Sequence, residues 1–205
     1  MPARRRARAP AGDPRERLIA AALDLAAKNG WRRTSMAAIA DAADLSLAET
    51  YALFRSKFAI LAAFRRSIDE AVLARSAPSA SDSPRDRIFD VLMRRLEALK
   101  PYREGLAVIA RESIGSPLLA KALPGYARSM GWMLEAAGIP ASGCRGRVAC
   151  KVLCIIYISV LPVFLRDESA DLGTTMAALD RRLRQAESLF STLQPIASRM
   201  RKSRN

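Results

Sequence analysis

Apolar positions in the first sixty residues fall into short helical stripes. Leu18, Ala21, Ala22 and Leu25 share one face of a helix that the sequence opens at Asp13-Pro14, an acidic cap before a proline suited to a first helical position. Lys28-Asn29-Gly30 closes it, with glycine where a left-handed cap is needed. Met36, Ile39, Ala40 and Ala43 make a second, shorter stripe capped by Thr34 or Ser35. After the turn Ala43-Asp44-Leu45, the run Ser46-Leu47-Ala48-Glu49 has the S-x-x-E form of a capping box and opens a third helix to about Leu53. Two short helices about a three-residue turn, with alanines where backbones approach, form a helix-turn-helix pattern. Such helices are marginal alone, so the first stripe must brace them. Ser56 then caps a fourth helix through Leu61, Phe64 and Ile68 toward Val72.

Behind this head, Ser76 to Pro84 reads as a linker, and Ile88, Val91, Leu92, Leu96 and Leu99 begin a fifth helix that Lys100-Pro101 stops. Further helices are predicted over 103–113, 117–137, 144–164 and 171–193. The expected class is all-α: a three-helix helix-turn-helix head on a larger helical ligand-binding and dimerisation body, about nine helices in all. Residues 1–13 form a flexible basic arm, 14–60 the head, 61–195 the body and 196–205 a basic tail. Val148 to Leu165 is apolar on nearly all sides and must bury one face in its own subunit and another elsewhere. Val152 and Ile156, with the stripe Leu172, Met176, Leu179, Leu183 and Phe190 of the last helix, are therefore expected to form a homodimer interface. Leu96, Leu106, Ile109, Leu123, Tyr126, Met130 and Met133 could line a cavity for a small apolar or amphipathic effector, or serve as ordinary core.

Charge sharpens the picture at the N-terminal end. The 205 residues carry a formal charge of +14, and residues 1–66 alone hold 13 basic and 6 acidic side chains. This favours an anionic partner, double-stranded DNA above all for a helix-turn-helix. Leu47, Glu49, Thr50 and Ala52 are the expected reading face of the third helix, with Tyr51 at its rim and Ser46 at its start. Glu49 could accept a base contact or simply close the capping box. Lys57, in the first turn of the fourth helix, could clamp a phosphate, and Arg32, Arg33 and Arg55 sit at junctions that would face the backbone. With no His, no glycine-rich phosphate loop and no carboxylate array at metal spacing, neither an enzyme, a metal nor a cofactor is expected. Cys144, Cys150 and Cys154 read as small buried thiols of a reduced cytoplasmic protein. No N-terminal apolar run suggests secretion, and Lys151 and Pro162 argue against integral membrane association for the apolar helix.

Arg17, Ala22, Leu25, Gly30, Ser35, Ile39, Ala40, Ala43, Leu45, Ser46, Tyr51, Phe54, Ser56, Lys57 and Leu61 together resemble the N-terminal domain of the TetR family of bacterial transcriptional regulators. The resemblance implies that Tyr51 touches a phosphate, that Lys57 caps the fourth helix against DNA, and that Thr34-Ser35 opens the second helix beside the backbone. It also implies that the fourth helix transmits ligand occupancy. The chain departs from the usual pattern at Asp44 and Ala48, where glycine is common, at Glu49, where Thr or Ser is, and at Ala52, often a polar residue. More loosely, Gly30-Trp31, the turn from Asp167 to Asp171 and the helix from Thr174 to Leu183 are similar to a lipid-binding accessory protein of ubiquinone biosynthesis. The expected function is a ligand-responsive, sequence-specific regulator, a repressor released from a palindromic operator by its effector. The alternative is a lipid or small-molecule binding protein of the same fold without operator binding.

Overall fold

The computed structural model describes residues 12–114 and 117–202, and among these it is wholly helical. Its elements are α1 (Pro14–Asn29), α2 (Met36–Ala42), α3 (Leu47–Leu53), α4 (Lys57–Leu73), α5 (Pro84–Leu99), α6 (Arg103–Ser113), α7 (Pro117–Ala136), α8 (Gly143–Phe164) and α9 (Gly173–Lys202), with a 3-10 turn at Lys100–Tyr102. Apart from Gly12 and Asp13, the basic arm falls outside the described residues. So do the side chain of Phe190 and those of the tail, although α9 itself runs past Pro195, beyond the stop expected at Leu193.

The chain divides into two compact units, Met1–Ser67 with Pro101–Ala122, and Ile68–Lys100 with Leu123–Asn205. In the first unit, Asp13 caps α1, its Oδ1 accepting from Arg15 N at 2.9 Å. Leu18, Ala22, Leu23 and Ala26 of α1, Ile39 and Ala40 of α2, Phe54, Ile60 and Phe64 form the core. Each large side chain buried there contributes about 1.5–3 kcal/mol, which is what holds seven-residue helices that could not persist alone. The α1 stripe is shifted from the sequence expectation: Leu23 is buried and Leu25 only half-buried. The cause is α6, which packs along α1. The approach is close enough that a Cβ on Gly105 would lie 2.4 Å from the Leu23 carbonyl oxygen.

In the second unit, Ser83 caps α5, and Ile88, Val91, Leu92, Leu96 and Leu99 are buried as the pattern predicts. α9 packs on both α8 and α5. Asp167 anchors the start of α9: its Oδ2 accepts from Thr175 N at 2.7 Å and Thr175 Oγ1 at 2.6 Å, and its Oδ1 from Ser169 N and Oγ. Burial opposes the charge, but these hydrogen bonds outweigh it and hold the carboxyl at about 2. Of the three thiols, Cys154 is buried and Cys150 half-buried, but Cys144 is exposed because it stands in the first turn of α8, correcting the expectation of three buried thiols.

Candidate nucleic-acid interface

The helix-turn-helix is assembled by short-range hydrogen bonds. Ser35 caps α2, its Oγ accepting from Ala38 N at 3.1 Å. The chain then reverses at Asp44, whose φ of 52° explains why glycine would also suit this position. From α1, the Arg17 guanidinium donates to the Ala43 carbonyl at 3.1 Å and to the Asp44 carbonyl at 3.0 Å, pinning the turn to the bracing helix. Arg17 belongs to the family pattern, yet the sequence reading gave it no role. Its signal is a cation set beside the buried Leu18.

At the start of α3 the capping box is complete, with Ser46 Oγ accepting from Glu49 N at 3.2 Å and Glu49 Oε2 accepting from Ser46 N at 2.7 Å and from Ser46 Oγ. Glu49 is thereby turned back on its own helix terminus. Leu47, Ala48, Tyr51 and Ala52 remain exposed, Leu47 at 57% and Tyr51 at 63%. The Arg55 guanidinium lies 5.7 Å from the Tyr51 ring centre, adding a cation beside this apolar face.

Thr50 does not belong to it. Only 1% exposed, it sits on the inner side of α3 with its hydroxyl unpartnered, so the expectation that Thr50 reads bases is corrected. Two turns of helix offer few positions, α3 packs against α2, and the burial of Thr50 places it on the inner side of α3.

Lys57, Thr34 and Arg32 are also engaged within the protein. Lys57 Nζ donates to the carbonyls of Trp31 and Thr34, both at 2.7 Å, and lies 4.6 Å from the Trp31 ring centre. Burial lowers its ammonium pKa from the ordinary value, with Glu112 pulling the other way. Thr34 is buried and donates its hydroxyl to the Gly30 carbonyl at 2.8 Å. Arg32 turns to α6: its backbone N donates to Glu112 Oε2 at 2.7 Å and its guanidinium to the Glu112 carbonyl at 3.0 Å. Three residues expected at the DNA backbone thus make hydrogen bonds that stabilise the α1–α2 loop. Arg33, Ser35 and Arg55 are exposed.

The body residues separate in the same way. Leu96, Met130 and Met133 are fully buried in the second unit, Tyr126 is half-buried and Leu123 is 43% exposed. Leu106, half-buried, and Ile109, buried, stand on α6 in the first unit. A groove of about 310 Å³ lined by Val72, Ser76, Arg94 and Glu135, and another of about 370 Å³ lined by Pro162, Arg166 and Thr174, include none of them. The expected dimer stripe is corrected more sharply. Ile156, Leu172, Leu179 and Leu183 are buried inside the single chain, so they are core. Val152 is half-buried and Met176 is 38% exposed. The uncovered apolar side of α8 is instead Val148, Ile155 and Pro162, spaced by seven residues.

Residues 18–64 match the family model described as bacterial regulatory proteins, tetR family. No curated protein matches the chain. Among solved structures, it is similar to a TetR transcriptional regulator from Nitrosomonas europaea at 26% identity and a TM-score of 0.69, over 85% of this chain and 99% of that one. A TetR regulator from Rhodococcus sp. RHA1 follows at 21% identity and 0.60, covering 84% and 94%. The regulator FadR from Bacillus subtilis, solved with stearoyl-CoA, shares the fold at 16% identity and 0.52, covering 82% and 97%.

Proposed function

We propose, from the premise that the chain belongs through residues 18–64 to the tetR family of bacterial regulatory proteins, that it is a cytoplasmic repressor released from a palindromic operator by a small apolar or amphipathic effector. The observation that carries this reading is the exposed face Leu47, Ala48, Tyr51 and Ala52 on a helix whose start and supporting turn are both fixed by hydrogen bonds. Leu47 and Ala52 suit thymine methyl groups, Tyr51 and Arg55 a flanking phosphate, and Arg33 and Ser35 the backbone beside α2. The direct readout is apolar, so much of the affinity comes from phosphate contacts and falls with salt.

Two such helices must lie about 34 Å apart to read successive major grooves, which calls for a homodimer. The stripe Val148, Ile155 and Pro162 on α8, with Met176 of α9 beside the α8–α9 packing, is the apolar surface offered to a second copy. α8 is long and apolar enough to cross a membrane by length and composition, but a dimer seam accounts for its exposed side and its own core for the rest. Effector bound in the body would favour a head spacing that no longer fits DNA, with α4 as the covalent link.

Selection of bound duplexes from a random library by the purified protein at about 0.15 M salt tests the reading. A palindrome recovered by a dimer is the expected result. Binding only at low salt, with no sequence enriched, would overturn it and leave the lipid or small-molecule binding protein.

A further inference from the structure

Four helices of the second unit bring a buried polar cluster together. Asp69 of α4 is held between two donors: Arg95 of α5 gives an Nη1 hydrogen bond to its Oδ1, and Ser129 of α7 an Oγ hydrogen bond to its Oδ2. The Arg95 guanidinium also lies 5.3 Å from the ring centre of Tyr157 on α8. Arg95 is 1% exposed, Ser129 2% and Tyr157 1%. A charge pair this deep stabilises less than well-packed apolar side chains of the same volume would, so packing alone gives little reason for it.

The Arg95 side chain is moreover only partly used. Asp69 takes the Nη1 end and the Tyr157 hydroxyl also interacts with the guanidinium, whereas Nε, equally buried, has no hydrogen-bond partner. A guanidinium binds a carboxylate best through two parallel N–H groups, and the Nε edge is one of the places where that fork forms. Around it, Leu92 and Leu96 of α5 and Met130 and Met133 of α7 are buried within a turn of Arg95 or Ser129, an apolar setting with adaptable methionines.

Resting on the reading of the body as the effector-binding part, we propose that the effector is an apolar monocarboxylate whose carboxylate docks on the Nε edge of Arg95 and competes with Asp69 for it. In the unliganded chain Asp69 is the internal stand-in for that carboxylate. Two carboxylates cannot share one buried guanidinium without repulsion, so docking loosens Asp69, and Asp69 stands on the helix that begins at Lys57 in the head. Asp69 thereby raises the effector concentration needed for release, since its charge, already on the Nη1 end, repels the incoming carboxylate.

The test measures binding of hexanoate, laurate, palmitate and cinnamate, each against its methyl ester, by calorimetry and by the shift in melting temperature. Three full-length proteins are compared: the wild type, Asp69→Asn, and the double variant Asp69→Asn with Arg95→Gln. The double variant leaves no buried charge unpaired, and its melting curve reports that it is folded. At least one acid is expected to bind where its ester does not, about tenfold or more tightly to Asp69→Asn than to the wild type, and not to the double variant. Equal binding of acid and ester, retention of the acid by the folded double variant, or no acid-specific binding to Asp69→Asn would each overturn the proposal. DNA selection is read separately. A chain that selects an operator but prefers no carboxylate keeps the regulator reading and loses this one, and a chain that binds the acids but selects no DNA does the reverse.

Discussion

Thr50 and Asp167 show how differently one side chain behaves when its polar atoms are left alone or fully used. The Thr50 hydroxyl is buried without a partner, so Thr50→Val, which keeps the shape, is expected to leave stability unchanged or raise it by up to about 1 kcal/mol in denaturant titrations. A changed base preference for this variant would show that Thr50 reaches DNA after all. Tyr51→Ala, on the exposed side, should weaken binding to operator and random duplexes by a similar factor, roughly tenfold for one hydrogen bond to a charged phosphate. Asp167 is the opposite case, with a carboxyl held at about 2 in the folded chain. A depressed folded value stabilises the protein fully above the ordinary carboxyl value near 4, and that stability is lost as pH falls from about 4 through about 2. Denaturation midpoints measured across this window should fall for the wild type more than for Asp167→Asn, and parallel curves would remove Asp167 as the cause.

Between elements, the loop from α1 to α2 shows what the sequence could and could not disclose. Its caps were legible because capping is local: Asp13, Ser35, Ser46 and Ser56 each act within three residues. The partners of Lys57, Arg32 and Arg17 were not, because each lies 23 to 80 positions away and an arginine at a junction looks the same whether it meets a phosphate, a carbonyl or a glutamate. The same limit applies to α9, whose stripe was plain while its partner was not: the leucines meet α8 and α5 of their own chain. Lys57→Met should consequently act on the loop first, costing about 1.5–3 kcal/mol of stability for the lost charged hydrogen bonds, read by thermal unfolding. A variant that loses DNA affinity with an unchanged melt would return Lys57 to the phosphate.

For the molecule as a whole, the exposed α8 stripe carries the assembly prediction. Ile155→Asp is expected to yield a folded monomer, measured by sedimentation, with operator affinity lost because one head alone cannot span two half-sites. A dimer that survives this change would place the interface elsewhere. The chain is also interleaved: the unit containing the helix-turn-helix is completed by α6, which arrives only after residues 68–100 have gone into the other unit. In that unit Gly105 lies against Leu23 of α1 and Glu112 against Gly30, the residue that caps α1, so two contacts seven residues apart on α6 meet two positions seven residues apart along α1 and its cap. The helices therefore run in the same direction and mesh like a key with two teeth about 10.5 Å apart. One residue inserted between Gly105 and Glu112 would turn the second tooth by about 100° and leave only one engaged, whatever residue it was. Length along this stretch of α6 is thus constrained at every position, whereas composition is constrained only where a side chain such as Ile109 is buried: a frame-preserving insertion or deletion of a single codon is not tolerable anywhere between the teeth.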